Sequence, residues 1–325
     1  MRLLFPRLFQ AFLLLSLPAF SEAFLHQPLR DLTEADHWKR ARALVSAQLK
    51  QNPDDWSALI AMSGIEESFG ALDKARTLAE RAVALAPHSA DTHAQLARVC
   101  AVSAETAPVW RQVGLVRVMK RELEAAYKID PNHLDALLVD MMFTYKAPGI
   151  VGGGKAKAHA IAKKIAAAHP DWGRLAEAKL AQHDDNEPVA IRELQQATPS
   201  NYRAQTNLAL VYCCLSRNPR YDEAEKIGRQ LLEKEPARIG GYEIMAQIHA
   251  ARQSFHDLEK TLGDAVRHVP DDLSPYYWAA KKLIANRSDL ARAEAYLRKY
   301  LSQEPEGRAP TFADAQALLQ QLKRR

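Results

Sequence analysis

Residues 56–87, WSALIAMSGIEESFGALDKARTLAERAVALAP, hold two amphipathic helical patterns joined by a turn. Leu59, Met62 and Ser63 recur at helical spacing in the first, and Leu72, Ala75, Ala79 and Ala82 in the second. Gly70 marks the turn, and Pro87 stops the second helix because it has no N–H to continue the ladder. Small side chains on the second helix let two axes approach closely, so the segment predicts a packed helical hairpin.

The same punctuation recurs along the chain. Pro53, Pro87, Pro131, Pro170, Pro199, Pro236, Pro270 and Pro305 each follow an amphipathic stretch, at intervals of 34, 44, 39, 29, 37, 34 and 35 residues. Residues 202–236 repeat the hairpin with Leu208, Ala209 and Tyr212, then Tyr221, Ala224 and Leu231. Residues 239–270 do so with Tyr242, Met245 and Ala246, then Phe255, Leu262 and Ala265. A period near 34 residues with two helices per period resembles the tetratricopeptide repeat (TPR) family, closely in spacing and less so in identity.

The resemblance implies an all-α, right-handed superhelical solenoid of antiparallel helix pairs. Its concave face would be lined by the first helix of each pair. The expected organisation is a signal peptide over 1–23 and a linker over 24–36, then a TPR-like solenoid over 37–325. The solenoid comprises a half repeat at 37–53, about seven repeats over 54–305 and a polar capping helix at 310–325, since a repeat array must close its ends. The longest interval adds about ten residues around Ala104 to Gln112, and the next adds five at a glycine-rich turn.

Composition agrees with helices: 13 Gly in 325 residues, and 47% apolar residues rich in Ala and Leu. A formal charge of +5, from 44 basic and 39 acidic side chains spread along the chain, is too mild to suggest a nucleic-acid partner. Arg2 and Arg7, the apolar run Leu8 to Phe20, and Ala19, Ser21 and Ala23 have the order of a secretory signal peptide. Cleavage would leave Glu22 or Phe24 first, with no membrane span in the mature chain. Three cysteines, Cys100, Cys213 and Cys214, are too few for a disulfide scaffold, so export to a bacterial periplasm or exterior is expected.

Four patterns could carry chemistry. Gly149-Ile-Val-Gly-Gly-Gly-Lys155 matches the phosphate-cradling loop G-x-x-x-x-G-K but has Ala156 where a hydroxyl should bind Mg²⁺, and it follows a helical segment instead of a strand. It is expected to be a lengthened turn, with Lys155, Lys157, Lys163 and Lys164 facing solvent. His88 and His93 lack metal-ligand spacing. The cysteines are expected to be free, and the pairs Asp54-Asp55, Asp184-Asp185 and Asp271-Asp272 to cap helices. No catalytic residue, metal site or cofactor is expected, and the chain is not expected to be an enzyme.

The expected function is an exported scaffold that holds a partner protein or peptide in the concave face. The phase of the prolines turns Arg203, Asn207, Glu243, Gln247, Tyr277 and Lys281 inward, with Trp278 close by, and these are the candidate partner-binding residues. Exported TPR proteins also serve solute uptake as TRAP-transporter T-components, but those are lipid-anchored, and no cysteine stands near either cleavage point here. Clamping of a C-terminal carboxylate is not expected. Of the first-helix pattern of Lys, Asn and Arg, only Asn207 is in place, with Gly240 and Ile244 where cations should follow.

Overall fold

A computed structural model describes residues 27–197, 202–212, 218–307 and 310–323. The expected signal peptide, Pro199, Arg324, Arg325, Cys213 and Cys214 lie outside the described residues. Among the described residues every extended element is helical, with seventeen α-helices and no strand. They fall into two compact units, one ending at Glu193 and one starting at Leu194.

The N-terminal unit contains α1 (Gln27–Glu34), α2 (Trp38–Gln51), α3 (Trp56–Ser68), α4 (Leu72–Leu85), α5 (Ala90–Thr106), α6 (Val109–Ile129), α7 (Leu134–Lys146), α8 (Lys155–Ala168) and α9 (Pro170–His183). The α10 helix (Glu187–Gln196) begins in it. Each helix packs on the next from α1 to α9, and α3 also touches α5, as α5 touches α7. This alternation is what a helical-pair solenoid requires: first helices stack on one another, and each second helix wedges behind the next first one. Ala75, Ala79, Ala82, Ala97, Ala126 and Ala158 are fully buried where the axes meet.

The C-terminal unit contains α11 (Tyr202–Leu210), α12 (Tyr221–Lys234), α13 (Ile239–Arg252), α14 (Phe255–His268), α15 (Ser274–Ala285), α16 (Leu290–Tyr300) and α17 (Phe312–Lys323). Here α11 stacks on α13, and α13 on α15. Both units are therefore TPR-like all-α arrays. The α17 helix buries Ala315 against α15 and α16 and turns Gln320, Gln321 and Lys323 to solvent.

Every described proline of the series stands after a second helix, and Pro170 takes the first turn of α9, where its missing N–H costs nothing. Gly70 adopts φ +75° between α3 and α4, sending the N–H of Ala71 back to Glu66 O at 2.9 Å. Gln253 occupies the same left-handed position after α13, at φ +56°. Asp55 caps α3 by accepting from Ser57 N and Ala58 N, as expected, whereas Asp272 stands one residue before the Leu273 N-cap of α15 and accepts from Ser274 N at 2.7 Å.

One boundary differs. The expected linker 24–36 contains α1, so the array opens on a helix pair instead of a lone second helix. Leu29 and Thr33 are buried, Leu29 in one cluster with Trp38, and a short amphipathic helix is the way eight residues cover that indole.

Candidate functional site

The glycine-rich segment is a structural turn. A short 3₁₀ stretch, Gly149–Val151, leads to Gly152 in the left-handed region. Four N–H groups of the turn are already used: Val151 and Gly153 donate to Pro148 O, Gly152 to Gly149 O, and Gly154 to Thr144 O at 2.8 Å. A Cβ on Gly153 would sit 1.8 Å from Ala147 O, so the glycine serves backbone contact and not ligand access. Lys155 bonds Asp184 at 2.5 Å, and Asp184 also accepts from Tyr145 at 2.7 Å. Burial opposes ionisation of Asp184, but the hydrogen bonds from Lys155, Tyr145 and His159 outweigh it and hold the carboxyl below its usual range. Asp184 therefore departs from the expectation that it caps a following helix start. It ties α9 to α7 and α8 instead, because α9 ends where those side chains converge.

The other polar patterns are also structural. His93 pairs with Glu122 at 2.6 Å and His133 with Asp91 at 3.0 Å, both buried, while His88 is exposed. Among the described residues no cluster of three His, Cys, Asp or Glu could hold a metal. Cys100 is a free, buried thiol, pushed up to about 11 by burial.

Sequence reasoning passed over a charged row across the first helices of the N-terminal unit. Glu67 on α3 receives Arg98 on α5 at 3.0 Å, and Glu105 on α5 receives Lys146 on α7 at 2.6 Å. The row continues on α9 with Lys179, only 7% exposed, and His183. Burial first, and then the charge of Lys146, holds the Lys179 ammonium down at about 8, with Glu105 acting against them. Burial, followed by Lys179 and Lys146, pushes His183 down to about 4. Lys146 and Glu105 thus act on the buried Lys179 ammonium in opposite directions in a partly dry setting. The sequence signal was a lysine at a helical position otherwise flanked by Ala176, Ala178, Leu180 and Ala181.

The seven candidate residues of the C-terminal unit are only partly brought together. Trp278 Nε1 donates to Glu243 Oε1 at 3.1 Å across α15 and α13, and Lys281 Nζ lies 4.8 Å from the Trp278 ring. Gln247 is buried and donates to its own helix at Glu243 O. Asn207 is half-buried on α11, and the side chain of Arg203 lies outside the described residues. Tyr277, 5% exposed, stacks edge-on against Trp278 and lies 5.6 Å from the Tyr300 ring, inside the core that α17 closes. Tyr277 and Trp278 are thus packing residues. A first-helix side chain that turns inward also turns toward the neighbouring first helix, and large aromatics fill that seam.

No family model and no curated protein matches the chain. Solved structures are similar in part. A thermophilic TPR protein of Thermus thermophilus is 19% identical over 56% of this chain and 94% of its own, with a TM-score of 0.49. A tetratricopeptide repeat protein of Parabacteroides merdae is 14% identical over 91% and 96%, at 0.42. Yeast Tom70 is 14% identical over 91% and 76%, at 0.44. The architecture rests on the helix pairing above, and these likenesses add neither partner nor activity to it.

Proposed function

We propose that the protein is an exported interaction scaffold that holds an acidic segment of a partner polypeptide along the first-helix face of its N-terminal unit. The observation that supports this is the burial of Lys179, only 7% exposed, in the field of Lys146, which itself pairs with Glu105 at 2.6 Å. A buried ammonium is expensive to keep, and an incoming carboxylate recovers part of that cost. Lys146 and Glu105 stand at the open edge of the cluster, and Lys179 lies behind them. An Asp or Glu side chain of the partner would meet Lys146 first and draw Lys179 into a shared pair.

The test compares capture from the native envelope by the wild type and by Lys179→Met, which keeps the volume and removes the charge. A partner retained by the wild type and lost by a folded Lys179→Met supports the proposal. Equal capture by both excludes this face. Intact mass of the exported chain tests export itself: a chain starting at Glu22 or Phe24 is expected, and one retaining residues 1–20 means an anchor.

A further inference from the structure

The ten residues that lengthen the second interval extend the α5–α6 hairpin. Helices of 17 and 21 residues stand where the preceding pair has 13 and 14, so α6 is about 10 Å longer than α4. The added length ends in an apolar tip. Val109 is 71% exposed, Trp110 77% and Val113 63%, three of the seven large apolar side chains exposed among the described residues. Exposed positions continue along one stripe of α6 through Gly114, Arg117, Lys120 and Arg121.

The charge along the start of α6 has one sign, and Glu105 at the end of α5 is held by Lys146. Between Glu105 and Glu122 the chain holds Arg111, Arg117, Lys120 and Arg121 and no acidic residue. Arg121 is paired with Glu122, which leaves three cations with no carboxylate bonded to them. Arg111 lies 5.5 Å from the Trp110 ring. Lys120 donates to Val151 O at 2.7 Å and so brings the exposed Val151 turn, with Lys157 reaching Gly152 O, to the same flank.

We infer that this hairpin tip is a peripheral docking element for an anionic lipid bilayer. A bilayer offers hydrocarbon to Trp110, Val109 and Val113 and, from beside the tip to about 15 Å along α6, phosphates to Arg111, Arg117 and Lys120. An indole beside cations suits the depth at which the two meet. A second copy would set three cations against three, so self-association at this face is opposed by charge. A nucleic acid would need a series of stacking rings, and the tip has one. No helix among the described residues is long and apolar enough to cross a membrane, so docking would be superficial.

Cosedimentation of the full chain with vesicles of phosphatidylcholine and phosphatidylglycerol, and with phosphatidylcholine alone, tests this. Partitioning to the mixed vesicles only, weakened by added salt, is expected. Trp110→Ser with Val113→Ser should weaken it about tenfold or more, and Arg111→Gln with Arg117→Gln by a similar factor. Helicity should be unchanged in both, because all four side chains are exposed. Lys163→Gln with Lys164→Gln, on α8, should partition as the wild type does. The inference is overturned by absent partitioning at low salt, by partitioning that survives the Trp110 and Val113 pair, or by a dimer in equilibrium sedimentation that Trp110→Ser abolishes.

Discussion

Lys155 and Asp184 form an ion pair at 2.5 Å that joins the start of α8 to the end of α9. The lysine of a phosphate-cradling loop must be able to swing to a phosphate, and this one is held by a carboxylate that Tyr145 also engages. The N–H groups of residues 151 to 154 are spent on Pro148, Gly149 and Thr144. Together these contacts make the segment a joint between helices.

Lys155→Ala should therefore leave ATP binding absent, as in the wild type, and leave the melting temperature nearly unchanged, since exposed ion pairs contribute little. Calorimetric titration with ATP and a thermal scan check both. Saturable binding by the wild type that the variant loses would contradict the structural assignment.

Lys179 should make stability depend on pH. Its folded value of about 8 lies below the ordinary 10.5, so between them the unfolded chain binds more protons and this residue favours the folded state increasingly as pH rises. Lys179→Met should be at least as stable as the wild type at pH 7, with the gap closing between about pH 8 and 10. His183, near 4 in place of 6.5, should cost stability as pH falls from 6.5 toward 4. Urea midpoints of wild type, Lys179→Met and His183→Gln across pH measure each.

Tyr277→Ala should destabilise by about 3–5 kcal/mol, the range for removing a buried aromatic, because Trp278 and Tyr300 pack around it. Lys281→Ala, at an exposed position, should cost less than about 1 kcal/mol. A Tyr277→Ala variant that melts like the wild type would place the ring outside the core.

Gln253 holds the left-handed conformation that Gly70 takes in an earlier turn. Gln253→Gly should therefore stabilise by roughly 0.5–1 kcal/mol, the strain of a side chain at that φ outweighing the added freedom of the unfolded chain. Denaturant unfolding with an unchanged slope is the measurement.

The helix pairs follow from local properties of the chain. Pro53, Pro87, Pro131, Pro236 and Pro270 end second helices through a covalent property of the residue, and the alanines at 75, 79 and 82 set close packing through their size, so both are legible locally. Asp55 at the start of α3 is legible for the same reason, since a cap acts within three residues. What those helices present was decided only by tertiary structure. Tyr277 and Trp278 lie on the inward face by periodicity, yet whether that face is open depends on α13 and α17, tens of residues away. Lys179 stands among Ala176, Ala178, Leu180 and Ala181 in the sequence, yet its charge environment is set only by Glu105 on α5 and Lys146 on α7. The α1 helix packs Leu29 into one cluster with Trp38, and Trp110 stays 77% exposed at the tip that the longer α5 and α6 form. Helical periodicity specifies the direction of a side chain from its own axis, whereas burial and charge environment depend on which other axis lies in that direction.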